Sequence, residues 1–233
     1  MHKQYRHIIF DLDHTLWDFE KNSDETLTEL YQTHKLEKLL KIDLSEVLAT
    51  YREINLQLWH QYNLKKVSKE QLRIDRFNLL FHRFNYENRS LAKILDREYL
   101  ATCPNKVHLI PGTIEVLSYL KNKYQIHYLT NGFKETQIRK ITASKIDHFA
   151  QSTTTPECAG YTKPDKRIFQ YKLKKINASC SDCLMVGDNP LTDVTGAKKA
   201  GIDQVFFNPN GKFIPKLKPS YEIQALTQLM DIL

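Results

Sequence analysis

The sequence predicts an α/β protein whose parallel-sheet core carries an all-helical insertion. Two observations lead there. Five short apolar runs, at 7–11, 126–130, 149–153, 183–187 and 204–207, have the length of buried strands, and helical patterns separate the later ones. Strands alternating with helices imply parallel pairing through crossovers. The stretch 22–102, by contrast, contains no convincing strand, and its apolar residues recur at helical spacing. The expected division is a core built from 1–19 and 103–233 and a helical domain at 20–102.

Each element has its own local reason. The first strand is the apolar run that ends in Asp11-Leu12-Asp13-His14-Thr15. Within the insertion, Leu27, Leu30, Tyr31 and His34 share one helical face, and Leu44, Val47, Leu48 and Tyr51 share another. Ser68 with Gln71 forms a capping box ahead of Leu72. The second strand runs into Leu129-Thr130-Asn131-Gly132. After Lys163, Pro164 suits a first helical position, and Ile168, Phe169, Leu173 and Ile176 follow at helical spacing. The fourth strand leads into a helix over 191–200 that Gly201 closes.

Composition narrows the function classes. With 233 residues, 41% hydrophobic and 26% charged, the chain can bury a sizeable core and reads as an ordinary soluble globular protein. No run approaches the roughly 20 apolar residues of a membrane helix. Residues 1–10 lack the apolar segment of a signal peptide, so the expected compartment is the cytoplasm. The net charge of +7 suits anionic ligands or simple solubility, and its lysine pairs read as solvated helix faces rather than a nucleic-acid surface. Cys180 and Cys183 have C-x-x-C spacing, but no second ligand pair accompanies them, so they read as thiols at the entrance of a buried strand.

Four polar motifs stand at successive strand ends. Asp11 and Asp13, at i and i+2 just past a strand, lie on one side of an extended chain where open α/β sheets bind ligands. A turn or a helix cap would use the same residues. Thr130 and Asn131, with the glycine after them, offer a hydroxyl, an amide and open backbone to phosphate oxygens, although Asn-Gly also marks a common turn. Lys163 precedes a helix start, where ammonium and helix dipole both favour an anion. Gly187-Asp188 ends the fourth strand and Asp193 opens the next helix, and carboxylate oxygens are the hard ligands magnesium prefers.

In that order the motifs resemble those of the haloacid dehalogenase-like superfamily: D-x-D-x-T, a strand-end Ser/Thr, a lysine, and an acidic G-D-x-x-x-x-D. The resemblance covers both ends of the chain, and the insertion lies where the family's helical type-1 caps lie. It implies a Rossmann-like core with the first strand between the second and fourth. It implies Asp11 as a nucleophile that forms an aspartyl-phosphate, and Asp13 as general acid and base. Mg2+ would be held by Asp11, the Asp13 carbonyl and Asp188, with Asp193 supporting the site. Thr130, Asn131 and Lys163 would bind the phosphoryl group. His14 stands where many relatives carry glycine and is given no chemical role.

Asp13 separates chemistries within the superfamily, because dehalogenases lack an acid/base aspartate there and a phosphatase needs one. A narrower resemblance, carried by 11–19, 130–135 and 187–190, is to the bacterial pyrimidine 5′-nucleotidases. It implies a phosphoric monoester hydrolase acting on nucleoside 5′-monophosphates, with a small phosphorylated metabolite as its partner. Alternatives are a sugar-phosphate or other metabolite phosphatase, a phosphomutase, a receiver domain and a non-catalytic binding scaffold. Trp17 and Phe19 are candidates to stack on a base or to pack in the core.

Overall fold

The computed structural model describes residues 5–216 and 218–233. The first four residues of the segment read for a signal peptide lie outside the described residues. No helix among the described residues is long and apolar enough to cross a membrane. The chain divides into two compact units, one running up to Phe19 and again from Val107 to Leu233, the other Glu20–Lys106.

The first unit is built on a six-stranded parallel sheet with the order β3-β2-β1-β4-β5-β6. Its strands are β1 (His7–Phe10), β2 (Gln125–Leu129), β3 (Ala150–Thr154), β4 (Cys183–Gly187), β5 (Asp203–Phe207) and β6 (Tyr221–Ile223). β1 and β4 are buried along their whole length, as central strands of a sheet covered on both faces must be. β6 was not expected from the sequence. It has three residues, of which only Ile223 is buried, too few to show a period.

The register sets the level of the strand ends. Phe10 pairs with Tyr128 on one side and with Val186 on the other. The chain therefore leaves β1, β2 and β4 at one edge of the sheet, which brings Asp11, Thr130 and Asp188 to a common rim. Crossovers between parallel strands usually run through helices, and only the step from β5 to β6 shows none among the described residues.

In chain order the helices are α1 (Phe19–Thr33), α2 (Leu36–Leu40), α3 (Leu44–Asn63), α4 (Lys69–Arg83), α5 (Arg89–Thr102), α6 (Thr113–Lys121), α7 (Lys134–Ala143), α8 (Pro156–Ala159), α9 (Lys166–Lys175), α10 (Gly196–Lys199) and α11 (Leu229–Ile232).

Two helix starts differ from expectation. α9 begins at Lys166, because the Asp165 side chain accepts from the Arg167 amide and makes Asp165 the N-cap. Pro164 therefore precedes the cap instead of opening the helix. The stretch after β4 begins as a wider π-type turn over Pro190–Thr195 and becomes α-helical only at Gly196. Asn189 caps it, its side chain accepting from the amides of Leu191 and Thr192.

The helical unit has its own core. The expected box is present at α4, where Ser68 and Gln71 each accept from the other's backbone amide. Tyr51, Phe77 and Tyr99 pack ring against ring, with centroids 5.3 to 6.1 Å apart. Arg76 is buried beside them, its guanidinium 5.1 Å from the Tyr99 ring and 3.0 Å from the Asp96 carboxylate. Such a charge is tolerated in a core only when paired.

Candidate active site

Asp11 follows β1 directly, its amide donating to the Val186 carbonyl across the sheet. Its carboxylate meets the Lys163 ammonium at 2.6 Å, and the same ammonium meets Asp193 at 2.6 Å. All three residues are buried. Lys163 thus joins a residue at the end of β1 to one beyond the end of β4.

Asp193 can approach so closely because β4 ends in glycine. A Cβ on Gly187 would fall 2.6 Å from the Asp193 Cβ, inside any real contact. The Asp193 carboxylate also accepts from the Asn189 amide at 3.0 Å. Asp188 is fixed from the other side. Its carboxylate accepts from the Thr15 hydroxyl at 3.1 Å, and its amide donates to the same oxygen. Thr15, the last residue of D-x-D-x-T, therefore ties the first motif to the fourth, a role the sequence reading did not give it.

Thr130 and Asn131 lie one strand away. The Thr130 hydroxyl oxygen accepts from the Gly132 amide at 3.0 Å, which curls the backbone at the strand end. The Asn131 carboxamide holds the Lys163 backbone at both of its polar groups, donating to the carbonyl at 2.9 Å and accepting from the amide at 2.8 Å. In this arrangement Asn131 serves as a strut that sets Lys163.

Asp13 faces a different neighbour. Its carboxylate accepts from Gln137 at 2.8 Å and pairs with Lys140, both on α7. Neither residue was singled out from the sequence. The available signal, polar residues three apart on the helix after Thr130-Asn131-Gly132, is shared by any solvated helix face. Trp17 is fully buried and pairs with Leu109 through a bridge, so it packs in the core. Phe19 is half-buried, with the exposed His14 ring 5.0 Å away.

The electrostatics ask for a cation. Burial pushes Asp11 well above the ordinary carboxylate range against the pull of Lys163, with Asp193 and Asp188 adding to the rise. Burial together with Asp193 lifts Asp188 to about 7. Burial would lower Lys163, but Asp11 and Asp193 outweigh it and hold the ammonium firmly charged. Burial would also raise Asp13, yet Lys140 and Gln137 keep it below its usual value. With all three ionised, the carboxylates would exceed the one ammonium by two negative charges, and that repulsion is relieved by protonation or by a bound cation. Oxygens of Asp11, Asp188 and Asp193 lie within 4.8 Å of one another. A hard divalent ion fits this donor set in charge and in ligand type.

A parallel sheet buried at its central strands, with acidic residues and a lysine gathered past β1 and β4, is an open α/β fold with its polar site at a topological switch point. The chain belongs to the haloacid dehalogenase-like hydrolase family, whose model matches residues 5–201. It is 28% identical to the pyrimidine 5′-nucleotidase PynA of Streptococcus pneumoniae, over 98% of this chain and 95% of that one. It is also 28% identical to a glyceraldehyde 3-phosphate phosphatase of Pyrococcus furiosus, over 97% and 92%. The magnesium-bound crystal structure of the HAD-hydrolase YfnB from Bacillus subtilis superposes with a TM-score of 0.89 at 29% identity, covering 99% of each chain.

Proposed function

We propose that the protein is a magnesium-dependent phosphomonoesterase that works through an aspartyl-phosphate on Asp11 and acts on nucleoside 5′-monophosphates. The observation that carries this reading is the Lys163 ammonium bridging Asp11 and Asp193, with Asp188 within metal-sharing distance of both. The nucleotide assignment rests on the likeness to PynA and on the motif run through Phe19. The likeness to the glyceraldehyde 3-phosphate phosphatase keeps sugar phosphates as the second substrate class.

The chemistry follows from the side chains. An Asp11 oxygen attacks phosphorus as the bond to the leaving oxygen breaks, and Asp13, which must first take up a proton against the hold of Lys140 and Gln137, gives that oxygen its proton. Water then attacks the phosphorus of the aspartyl-phosphate. Asp13 takes the water's proton, and phosphate leaves with Asp11 restored. Lys163 and the Thr130 hydroxyl hold the phosphoryl oxygens and stabilise their charge, while Asn131 keeps Lys163 in place. Asp11 and Asp188 would hold the metal together with the Asp13 carbonyl, and Asp193 would support it. Magnesium, when bound, offsets the repulsion between an anionic nucleophile and an anionic phosphate. We assign the helical unit as the family's cap domain.

The test is phosphate release with magnesium from nucleoside monophosphates, sugar phosphates and other phosphomonoesters, for wild type and Asp11→Asn. Strong turnover of nucleoside monophosphates that the variant loses is expected. Turnover of sugar phosphates alone would keep the mechanism and discard the nucleotide assignment. Turnover that survives in Asp11→Asn would discard the nucleophile.

A further inference from the structure

Asp13 is clasped from one side by a single helix. α7 starts just after Gly132, and its residues Gln137 and Lys140, three apart, point the same way. Gln137 donates to one oxygen of the Asp13 carboxylate and Lys140 pairs with the other, so both oxygens are held. Gln137 is 1% exposed and Lys140 4%. A carboxylate gripped at two points cannot rotate freely about its own bond. We propose that Lys140 and Gln137 are positioning residues that fix the Asp13 carboxylate for its proton transfers.

Three further observations support the assignment. The Lys140 ammonium sits 4.1 Å from the Trp17 ring centroid and 5.3 Å from that of Phe19. It therefore meets the loop after β1 at Asp13 and Trp17 and the first residue of α1 at Phe19, and a cation suits such aromatic faces. The backbone makes room for Gln137. A Cβ on Gly132 would fall 2.5 Å from the Gln137 Cδ and 2.9 Å from its Cγ, so only glycine lets the amide pass to Asp13.

Finally, the Gln137 Oε1 is buried with no hydrogen-bond partner among the described residues. Turning the amide over would set that oxygen against the carboxylate, so the interaction with Asp13 fixes its orientation. An unmade buried hydrogen bond is costly, and an apolar side chain would cover Trp17 as well. The arrangement makes sense if its product is the direction of the Asp13 carboxylate.

The inference rests on Asp13 being the general acid, and the experiment separates the two. With p-nitrophenyl phosphate the leaving oxygen departs without needing a proton, whereas with phenyl phosphate it benefits from one. Because kcat/KM covers steps only through loss of the leaving group, it isolates this half of the reaction. It is measured at saturating magnesium for wild type, Asp13→Asn, Lys140→Met, Lys140→Arg and Gln137→Leu. Lys140→Met and Gln137→Leu are expected to lower kcat/KM for phenyl phosphate by about 10- to 100-fold and for p-nitrophenyl phosphate by less than about threefold, within what a positioned acid supplies. Lys140→Arg should recover part of the loss, and Asp13→Asn should show the same split more deeply.

If Asp13→Asn shows the split while the α7 variants lose both substrates equally, or neither, the positioning role is overturned and the acid role stands. If Asp13→Asn shows no split, the acid role itself falls. Circular dichroism checks that each variant is folded. Should Lys140→Met unfold, Gln137→Leu alone decides, with the same two outcomes.

Discussion

Lys163→Met keeps the length of the side chain and removes its charge at the point where three carboxylates meet. The ammonium makes two 2.6 Å pairs, with side-chain exposure of 2% for Lys163, 11% for Asp11 and 1% for Asp193. At an effective dielectric of about 20, each pair has a gross attraction of roughly 6 kcal/mol. Most of that is offset by the desolvation of the ammonium, and breaking a buried pair has a net cost of about 3–5 kcal/mol. The two pairs share one ammonium, so their costs do not add. At about 2–4 °C per kcal/mol for a chain of this size, the core transition should fall by roughly 6–20 °C.

Calorimetric melts in EDTA and in excess magnesium provide the assay. Magnesium at 100 times its dissociation constant stabilises a folded state by about 2.7 kcal/mol. It should recover more in the variant, where the uncompensated charge is greater, than in wild type. Acidification should also narrow the gap, because the unpaired carboxylates can then neutralise. A variant that melts with wild type in EDTA, or that gains no more from magnesium, would refute the electrostatic reading of the cluster.

Gly187→Ala puts a methyl group 2.6 Å from the Asp193 Cβ, so it should cost about 1–3 kcal/mol by overpacking and weaken magnesium binding. An unchanged magnesium titration would show that Asp193 need not approach β4. Lys172 is fully buried, and burial, with Lys175 adding to it, pushes its ammonium down to about 7. The unfolded chain then binds the extra proton between pH 7 and about 10.5, so stability should rise across that window and flatten in Lys172→Met. The gain should stay below about 5 kcal/mol, since the Tyr128 and Ser152 carbonyls around the ammonium favour its charged form. Urea midpoints against pH check this, and a flat wild-type profile above pH 7 would contradict it. Asp96→Ala leaves the buried Arg76 guanidinium without its carboxylate and should destabilise the helical unit by about 3 kcal/mol. Adding Arg76→Leu should recover part of that loss in denaturant melts, and a strictly additive double variant would rule out the pairing.

The legible parts of the molecule are those written in contiguous residues. β1 and β4 are unbroken apolar runs, and their ends came out within a residue of the structure, because burial on both faces demands such runs. Asp11, Thr130 and Asp188 were legible as site candidates because each is the first polar residue past an apolar strand, and the register then carries them to one rim. β6 was illegible, since three residues at a sheet edge show neither period nor run. So was the true start of α9, because Asp165 and Pro164 both have helix-start chemistry and only the structure shows which one caps.

Buried charges mark where local reading stops. On α7, Arg139 and Lys140 are adjacent and chemically alike, yet the Arg139 side chain is 42% exposed and the Lys140 side chain 4%. No periodicity distinguishes them, because the distinction lies in Asp13, 127 residues earlier in the chain. Lys172 and Arg76 repeat the pattern: each sits in a run of charged residues and is withdrawn from water by partners that the fold supplies. Motif residues announce themselves because their chemistry is local to a strand end. The residues that hold them have ordinary local sequence and distant partners, so Thr15, Gln137 and Lys140 emerge only once β1, β4 and α7 are side by side.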